Sequence, residues 1–502
     1  MAAILIATLL VALTPPPPVL AESYLVKSTA DSGENSLRWA VQQANASPDV
    51  DDTITFSPEL TGPITLGGNE IEITDALTIT GPGAGTLTVS GNFTSRVFSI
   101  GNDAVVNISG LTIANGFSGN GSGGDPAEPG GDGGGILAGT GSELTLIDCV
   151  LKSNATGKGG STTGFVSPGA TGGSGGAIAS AGTLTFQGCT LHDNHTGDGG
   201  LSDTSSGHGG DGGQGGAILS EGALTLEGCS LRDNYTGTGG SASGGRGGSG
   251  GNGGAISSNG VLTLSRCTLE DNRTGNGGSL SEGNCAFCGH GGHGGAIASE
   301  GALTLRQCTL HNNHAGDGGS SEYCASGGAG GAILSDGVLT LEGCSLHDNY
   351  TGQGGYALGS AGGRGGNGGA IHGSPKLTLE GCSLRGNYAG NGGAGHAIGW
   401  GGYGGGLLGC GLLTMRDCTV NDNHAGEGGL PTPHDGDGGG IAIVGPDVAS
   451  PDSATLVNCT ITGNSCSRNA TNSEGGGLYL WTGECHLSHC TISDNTATFG
   501  GE

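Results

Sequence analysis

The densest stretch of chemistry-bearing side chains is Cys285-Ala-Phe-Cys288-Gly-His290-Gly-Gly-His293, with Cys324 further along. Thiolate and imidazole are the ligands of a tetrahedral zinc site. This spacing departs from the common zinc-finger arrangements. In an exported chain the stronger expectation is a disulfide, Cys285 to Cys288 or either one to Cys324. A second candidate is the trio Asp193, Asp233 and Asp271, which occupy one position in three successive repeats. Stacked about 5 Å apart, such carboxylates form an edge able to hold Ca²⁺ when enough oxygens converge. A solvated acidic edge is the alternative, because screening keeps the repulsion small. Asn312 and Gly386 interrupt the column. His311 and His347 stack in the same manner. No catalytic residue is expected, and calcium is the one possible cofactor.

These residues sit on a repeat. Ten times between Gly133 and Leu478 the chain spells GG[AG][IL], and ten times it follows with C-x-[LVI]-x-x-N. Gly215-Gly-Ala-Ile218 and Cys229-Ser-Leu-Arg-Asp-Asn234 are one such pair, and the period runs from 34 to 42 residues. A fixed period in that range signals a solenoid. Within one unit, Ala217 to Leu219, Leu224 to Leu226 and Cys229 to Leu231 read as short strands. Leu224, Leu226, Cys229 and Leu231 point inward by the two-residue alternation. Three strands in twenty residues make one coil of a parallel β-helix, each strand pairing with its equivalent about 4.8 Å along the axis. The rest of each repeat is a Gly-rich excursion that composition allows to be disordered or packed.

Stacking turns each repeat position into a column. Asn154, Asn194, Asn234, Asn272, Asn313, Asn349, Asn387, Asn423, Asn464 and Asn495 form an asparagine ladder whose amides satisfy buried backbone. Ten of the 16 cysteines, from Cys149 to Cys490, form a second column. Their parallel Cβ vectors lie about 4.8 Å apart where a disulfide wants about 3.8 Å. They read as a ladder of free, buried thiols, with some disulfides as the alternative.

Composition sets the outer limits. With 116 Gly and only 4% aromatic residues, the chain has no conventional packed α/β core. A formal charge of −29 with only 15 Lys and Arg repels nucleic acid and anionic membranes. It equally disfavours pectate-like polyanions. Residues 1–21 read as a signal peptide: Met1 to Leu13 is apolar, too short to span a bilayer, and Val19-Leu20-Ala21 offers a cleavage site. No other segment is apolar enough to span. Residues 22–116 read as a cap with irregular first coils, including a helix capped by Asn35 that runs to about Asn45. Residues 117–502 carry the regular repeats, incomplete at their C-terminal end. The expected fold is all-β, a right-handed parallel β-helix with an N-terminal capping helix and long Gly-rich excursions.

The paired GGA[IL] and x-x-N motifs resemble those of the polymorphic outer membrane protein repeats of chlamydiae, with Leu, Val or Ile here where that family has Phe. Ser28 to Val41, Asp52 to Phe56, Leu77 to Gly83 and Ile108 to Gly116 resemble large exported bacterial β-helix proteins. The resemblance implies a secreted, cell-surface or outer-membrane location and adhesion, and it transfers no catalytic residue. The functional expectation is a non-enzymatic, surface-displayed protein. Its partners would be surface glycans, extracellular matrix, or a host or neighbouring cell surface. A polysaccharide lyase or hydrolase on the same scaffold is the alternative, as is a passive spacer. An enzyme should break its own repeat with an out-of-register acid cluster. None stands out in the sequence.

Overall fold

The computed structural model describes residues 21–498, apart from 48–50, 163–166, 204–205, 281–287, 323–324, 374, 398, 431–433, 445–452, 467–472 and 482. The expected signal peptide, Cys285 and Cys324 therefore lie outside the described residues. Each coil contributes one strand to each of three sheets, of 14, 12 and 13 strands among the described residues. Every pairing is parallel and in register with the neighbouring coil. Leu224 lies beside Leu184 on one side and Leu262 on the other. The strands of the sampled coil fall at Ile218–Ser220, Leu224–Glu227 and Ser230–Arg232, each one residue C-terminal of the expected start or end or both. The inward set is as the alternation requires: Leu224, Leu226, Cys229 and Leu231 are all buried.

The motif residues explain themselves at the corners. The first Gly of GG[AG][IL] has a positive φ, +62° at Gly215, and the second leaves no room for a side chain. A Cβ on Gly216 would fall 2.0 Å from the Gly254 carbonyl oxygen. Each ladder asparagine is spent on the backbone and on its neighbour. Asn313 Nδ2 donates to Leu269 O and to Asn349 Oδ1, both at 3.0 Å, while its Oδ1 accepts from the Asn272 N–H at 3.1 Å. The column cysteines are free thiols, with Sγ groups turned to backbone carbonyls, as in Cys267 to Ser265 O at 3.3 Å. Cys344, Cys382 and Cys418 are each pushed up to about 11, first by the thiol one coil before and further by burial.

The first coil is closed by the helix Leu37–Ala44, which buries Leu37, Ala40, Val41 and Ala44. Its cap is Ser36 rather than Asn35: Ser36 Oγ accepts the Trp39 N–H at 3.2 Å. Asn35 instead turns the chain with φ 63°.

The Gly-rich excursions are packed. Each leaves the rod after the ladder asparagine and returns before the next GG motif. The outgoing and returning arms interleave coil by coil through backbone hydrogen bonds, joined by side-chain bonds such as Thr196 Oγ1 donating to Gly213 O at 2.6 Å. Gly173 N–H donates to Gly157 O, Gly197 N–H to Gly173 O, and Gly213 N–H to Gly197 O. A second row runs from Ala170 through Gly200, Gly210, Gly240, Gly248 and Gly278 to Gly289 in the same way. The bonded residues recur every three positions, the period of a polyproline II arm, a conformation without internal hydrogen bonds. Neighbouring arms supply the partners that such a segment otherwise takes from water. Glycine is obligatory here, since a Cβ on Gly197 would meet Gly157 O at 1.9 Å.

Candidate functional site

Immediately after the ladder asparagine, seven successive repeats carry His195, Tyr235, Arg273, His314, Tyr350, Tyr388 and His424. Backbone bridges hold these residues in parallel register from coil to coil. The ring side chains stack along the rod in two runs, with Arg273 between them. His195 and Tyr235 have ring centroids 4.8 Å apart and planes within 4°. His314, Tyr350, Tyr388 and His424 continue at 4.8, 4.9 and 4.6 Å. Ring faces are thus occupied by one another. Of the stacked rings, Tyr235 and Tyr388 reach solvent, 46% and 37% exposed, whereas His195 Nδ1 is buried and His424 Nδ1 bonds Ser465 Oγ at 2.6 Å.

Carboxylates flank this floor. On one side stands the column that contains Asp193, Asp233 and Asp271. All three line one groove of about 490 Å³ together with Tyr235, Thr238, Arg273 and Asn276. The outgoing excursion arms line the groove through Thr238 and Asn276, and Asp198 and Asp317 hold the same arm position in the coils on either side. Burial first, then Asp198 and Asp193, raise the Tyr235 phenol. Burial lowers the His314 imidazole, with Arg273 helping and Asp271 and Asp317 opposing. Both walls therefore act on the same floor.

The structure gives the aspartate column a backbone reason. Asp193, Asp233, Asp271, Asn312 and Asp348 have φ of 53° to 56°, and Gly386 at the same position has 60°. Asn, Asp and Gly are the residues that tolerate the left-handed conformation. The interruptions by Asn312 and Gly386 are therefore conservative. Asp193 is engaged by His192 Nδ1 at 2.6 Å and Asp233 by Arg232 at 2.9 Å. Among the described residues, no three His, Cys, Asp or Glu side chains gather as metal ligands.

Of the Cys and His cluster, the described residues are Cys288, His290 and His293; Cys285 and Cys324, and with them the expected disulfide, lie outside the described residues. Cys288 is buried with Ala242, Leu280 and Ala325. His290 Nδ1 accepts the Ser326 N–H at 3.2 Å, and His293 Nδ1 accepts the Ala329 N–H at 2.8 Å. Burial lowers both imidazoles, which keeps them neutral and able to accept. One ring nitrogen of each histidine is thus committed to stitching adjacent coils. His311 and His347 do stack, at 4.9 Å.

A second acidic grouping lies near the C-terminal coils. Asp437 Oδ1 accepts the Glu474 N–H at 2.8 Å. Burial pushes Asp437 up to about 6, with the charges of Glu474 and Asp435 adding to the rise. Asp435 is buried, with Oδ1 accepting the Gly428 N–H at 2.7 Å and Oδ2 without a partner among the described residues. Sequence reasoning missed both the ring stack and this grouping. The stack was legible one position beyond the asparagine at which the motif was cut off. The grouping was hidden because Asp437 and Glu474 occupy a repeat position that elsewhere holds Ser174, Asn252 or His293.

With this geometry in place, residues 276–500 match the family described as a right handed beta helix region. The solenoid is a right-handed β-helix. The chain is similar to tailspike protein 3 of bacteriophage CBA120, with 11% identity, a TM-score of 0.30 and coverage of 93% of this chain and 60% of that one. It is also similar to the catalytic unit of a thermostable GH87 α-1,3-glucanase from Streptomyces thermodiastaticus strain HF3-3. There the identity is 12%, the TM-score 0.31, and the coverage 94% of this chain and 70% of that one. The β-helix thus spans 60% of the length of the tailspike chain. No curated protein matches it. The expectation of a non-enzymatic protein is corrected at this point. A catalytic unit is among the similar chains, and the repeat does contain an acid grouping that the sequence had not revealed. Neither likeness transfers a residue to this chain.

Proposed function

We propose that this chain engages polysaccharide, taking an extended glycan along the groove floored by the ring stack. The observation that carries the reading is the in-register column from His195 to His424, with stacked rings on both sides of Arg273, beside the groove of Asp193, Asp233 and Asp271. Each coil offers a similar set of donors and acceptors about 4.8 Å from the last, so a polymer of repeating units meets repeating partners. Many weak contacts in a row supply avidity without any single strong one. An extracellular setting suits this ligand, and the apolar Met1 to Leu13 segment supports it. So do the motifs shared with polymorphic outer membrane protein repeats.

The test is retention on a panel of immobilised polysaccharides by the full chain and by a Tyr350→Ala/Tyr388→Ala variant. Retention of the parent on at least one glycan, weakened tenfold or more in the variant, is the expected result. Equal retention of both, or none for the parent on any glycan, would sink the reading.

Cleavage of the bound glycan is a second reading, favoured by the Asp435, Asp437 and Glu474 grouping. Glycoside hydrolysis needs one carboxyl held protonated near neutral pH and a second one ionised. Asp437, raised to about 6 in its buried site, suits the first role. Release of reducing ends, abolished by Asp437→Asn, is expected from the same wells. Release that persists in Asp437→Asn would place the chemistry elsewhere.

A further inference from the structure

Resting on the groove reading above, we infer that the groove selects a positively charged glycan, a chain of hexosamines with free amino groups, over neutral or uronate polymers. The inference starts from what the backbone requires at the two walls. In the turn column the backbone asks only for a residue tolerant of positive φ, and Asn312 and Gly386 satisfy it without charge. In the arm column it asks only for an acceptor toward the next coil. Asp198 Oδ1 takes the Thr238 N–H at 3.0 Å and Asp317 Oδ1 takes the Gln353 N–H at 2.7 Å. Neutral side chains do the same work in the same column: Asn276 Oδ1 takes the Asp317 N–H at 2.8 Å, and Asn391 Oδ1 takes the Glu427 N–H at 2.7 Å. Folding therefore accounts for the side-chain oxygen at these positions, and ion pairs with His192, Arg232 and Lys158 engage Asp193, Asp233 and Asp198, which leaves the negative charge of Asp271 and Asp317 unexplained.

That charge is arranged about a floor with a complementary job. The exposed phenols of Tyr235 and Tyr388 donate to and accept from sugar hydroxyls, while the carboxylates beside them take the ammonium groups. Existing cations meet part of the charge: Arg232 pairs with Asp233 and Lys158 with Asp198, and Arg273 sits in the floor. Asp271 and Asp317, which both act on His314, are paired with no cation among the described residues and are the carboxylates offered to a ligand amine. The remainder of the molecule reinforces the choice, since a net charge of −29 attracts polycations along the whole rod and repels uronates.

The experiment measures binding of the full chain to four probes at low and high salt: a chitosan oligosaccharide, its fully N-acetylated counterpart, polygalacturonate and poly-lysine. Asp271→Asn/Asp317→Asn is the companion variant. It keeps each backbone acceptor and a side chain that these columns already use, so it folds. Expected are tenfold or tighter binding of the free-amine glycan than of its acetylated counterpart, weakening at high salt, and at least a tenfold loss in the variant. Preference for the acetylated chain or for polygalacturonate would overturn this inference while leaving the groove reading intact. Poly-lysine binding as tight as chitosan would overturn it too, by showing a field without sugar selectivity. Binding of none of the glycans would remove both.

Discussion

The rod and its glycine lobe are two solids built from one repeat by opposite means. In the rod, order comes from side chains. Leu226, Leu264 and Leu305 stack in a dry interior, and burial of that kind contributes about 25 cal/mol per Å². In the lobe, order comes from the absence of side chains. Carbonyls approach so closely that even a methyl group is excluded, as at Gly197, and the gain is in backbone hydrogen bonds and close contact. A core of the first kind tolerates exchange of one aliphatic residue for another. A core of the second kind admits little beyond glycine, with Ala170 and Ala325 as the exceptions in one of its rows. The groove lies where the two meet, with its floor at the first residues of the excursion and its walls drawn from one region each.

The largest effect is expected from the element common to the whole rod. Asn313→Leu removes four hydrogen-bonding partners and strands the Asn272 N–H and the Leu269 carbonyl in a dry interior. Buried groups left unmade cost about 1–3 kcal/mol each, so a loss of about 4 kcal/mol is expected in urea unfolding. An unchanged midpoint would mean that the rod does not depend on its ladder.

The seam between the regions has its own probe in His372. It projects from the sheet under the lobe, between Leu334 and Leu408 in register. Its Nδ1 is buried without a partner among the described residues. Burial, with His293 adding to it, holds its pKa down at about 4. The neutral form is therefore favoured in the folded state, while the unfolded chain takes up a proton near pH 6.5. Stability from this residue is fully present above that pH and falls as pH drops toward 4. The decline amounts to about 3 kcal/mol at 1.36 kcal/mol per pH unit. His372→Leu should flatten that part of the stability curve, and an unchanged pH dependence would contradict the assignment.

The lobe is tested by Gly291→Ala, whose Cβ would lie 1.8 Å from Gly316 O. Overpacking at one such contact costs about 2 kcal/mol. Hydrogen exchange should rise in the excursion arms around Gly275, Gly291 and Gly316 and stay low in Leu303–Arg306 of the rod. If protection fell equally in both, the two regions would be one cooperative unit.

How much of this was legible in the sequence follows the same division. Period-two alternation fixed the inward set of the rod, because Leu224 and Leu226 can share only one face of a strand. The ladder asparagines could be placed because a repeated polar residue beside an apolar column has to be satisfied internally. The lobe could not be placed. Polyglycine carries no alternation, and what orders it is the distance between backbones in different coils. The surroundings of Cys288 and His290 could not be read for a related reason. Nearness along an excursion says nothing about where the interleaved arms send each side chain, and Cys288 and His290 go to different neighbours. The ring stack was readable, one position past the asparagine, but a residue type that alternates among His, Tyr and Arg does not announce a column.

The smallest expected effect decides how the acidic wall is to be understood. If Asp348 is present for its backbone conformation, Asp348→Gly should be neutral within about 0.5 kcal/mol, since surface changes that meet the local requirement usually are. Asp348→Ala should cost about 1 kcal/mol, the penalty of a methyl side chain at positive φ. Its exposed contact with His347, at 3.0 Å, adds little to either number, because solvent screens such pairs. A thermal melt of the two variants separates the cases. The glycine variant melting with the parent and the alanine variant below it would mean that the turn needs the conformation and leaves the charge free for another use. Equal losses in both would tie the carboxylate to folding and weaken the case for a ligand-directed wall.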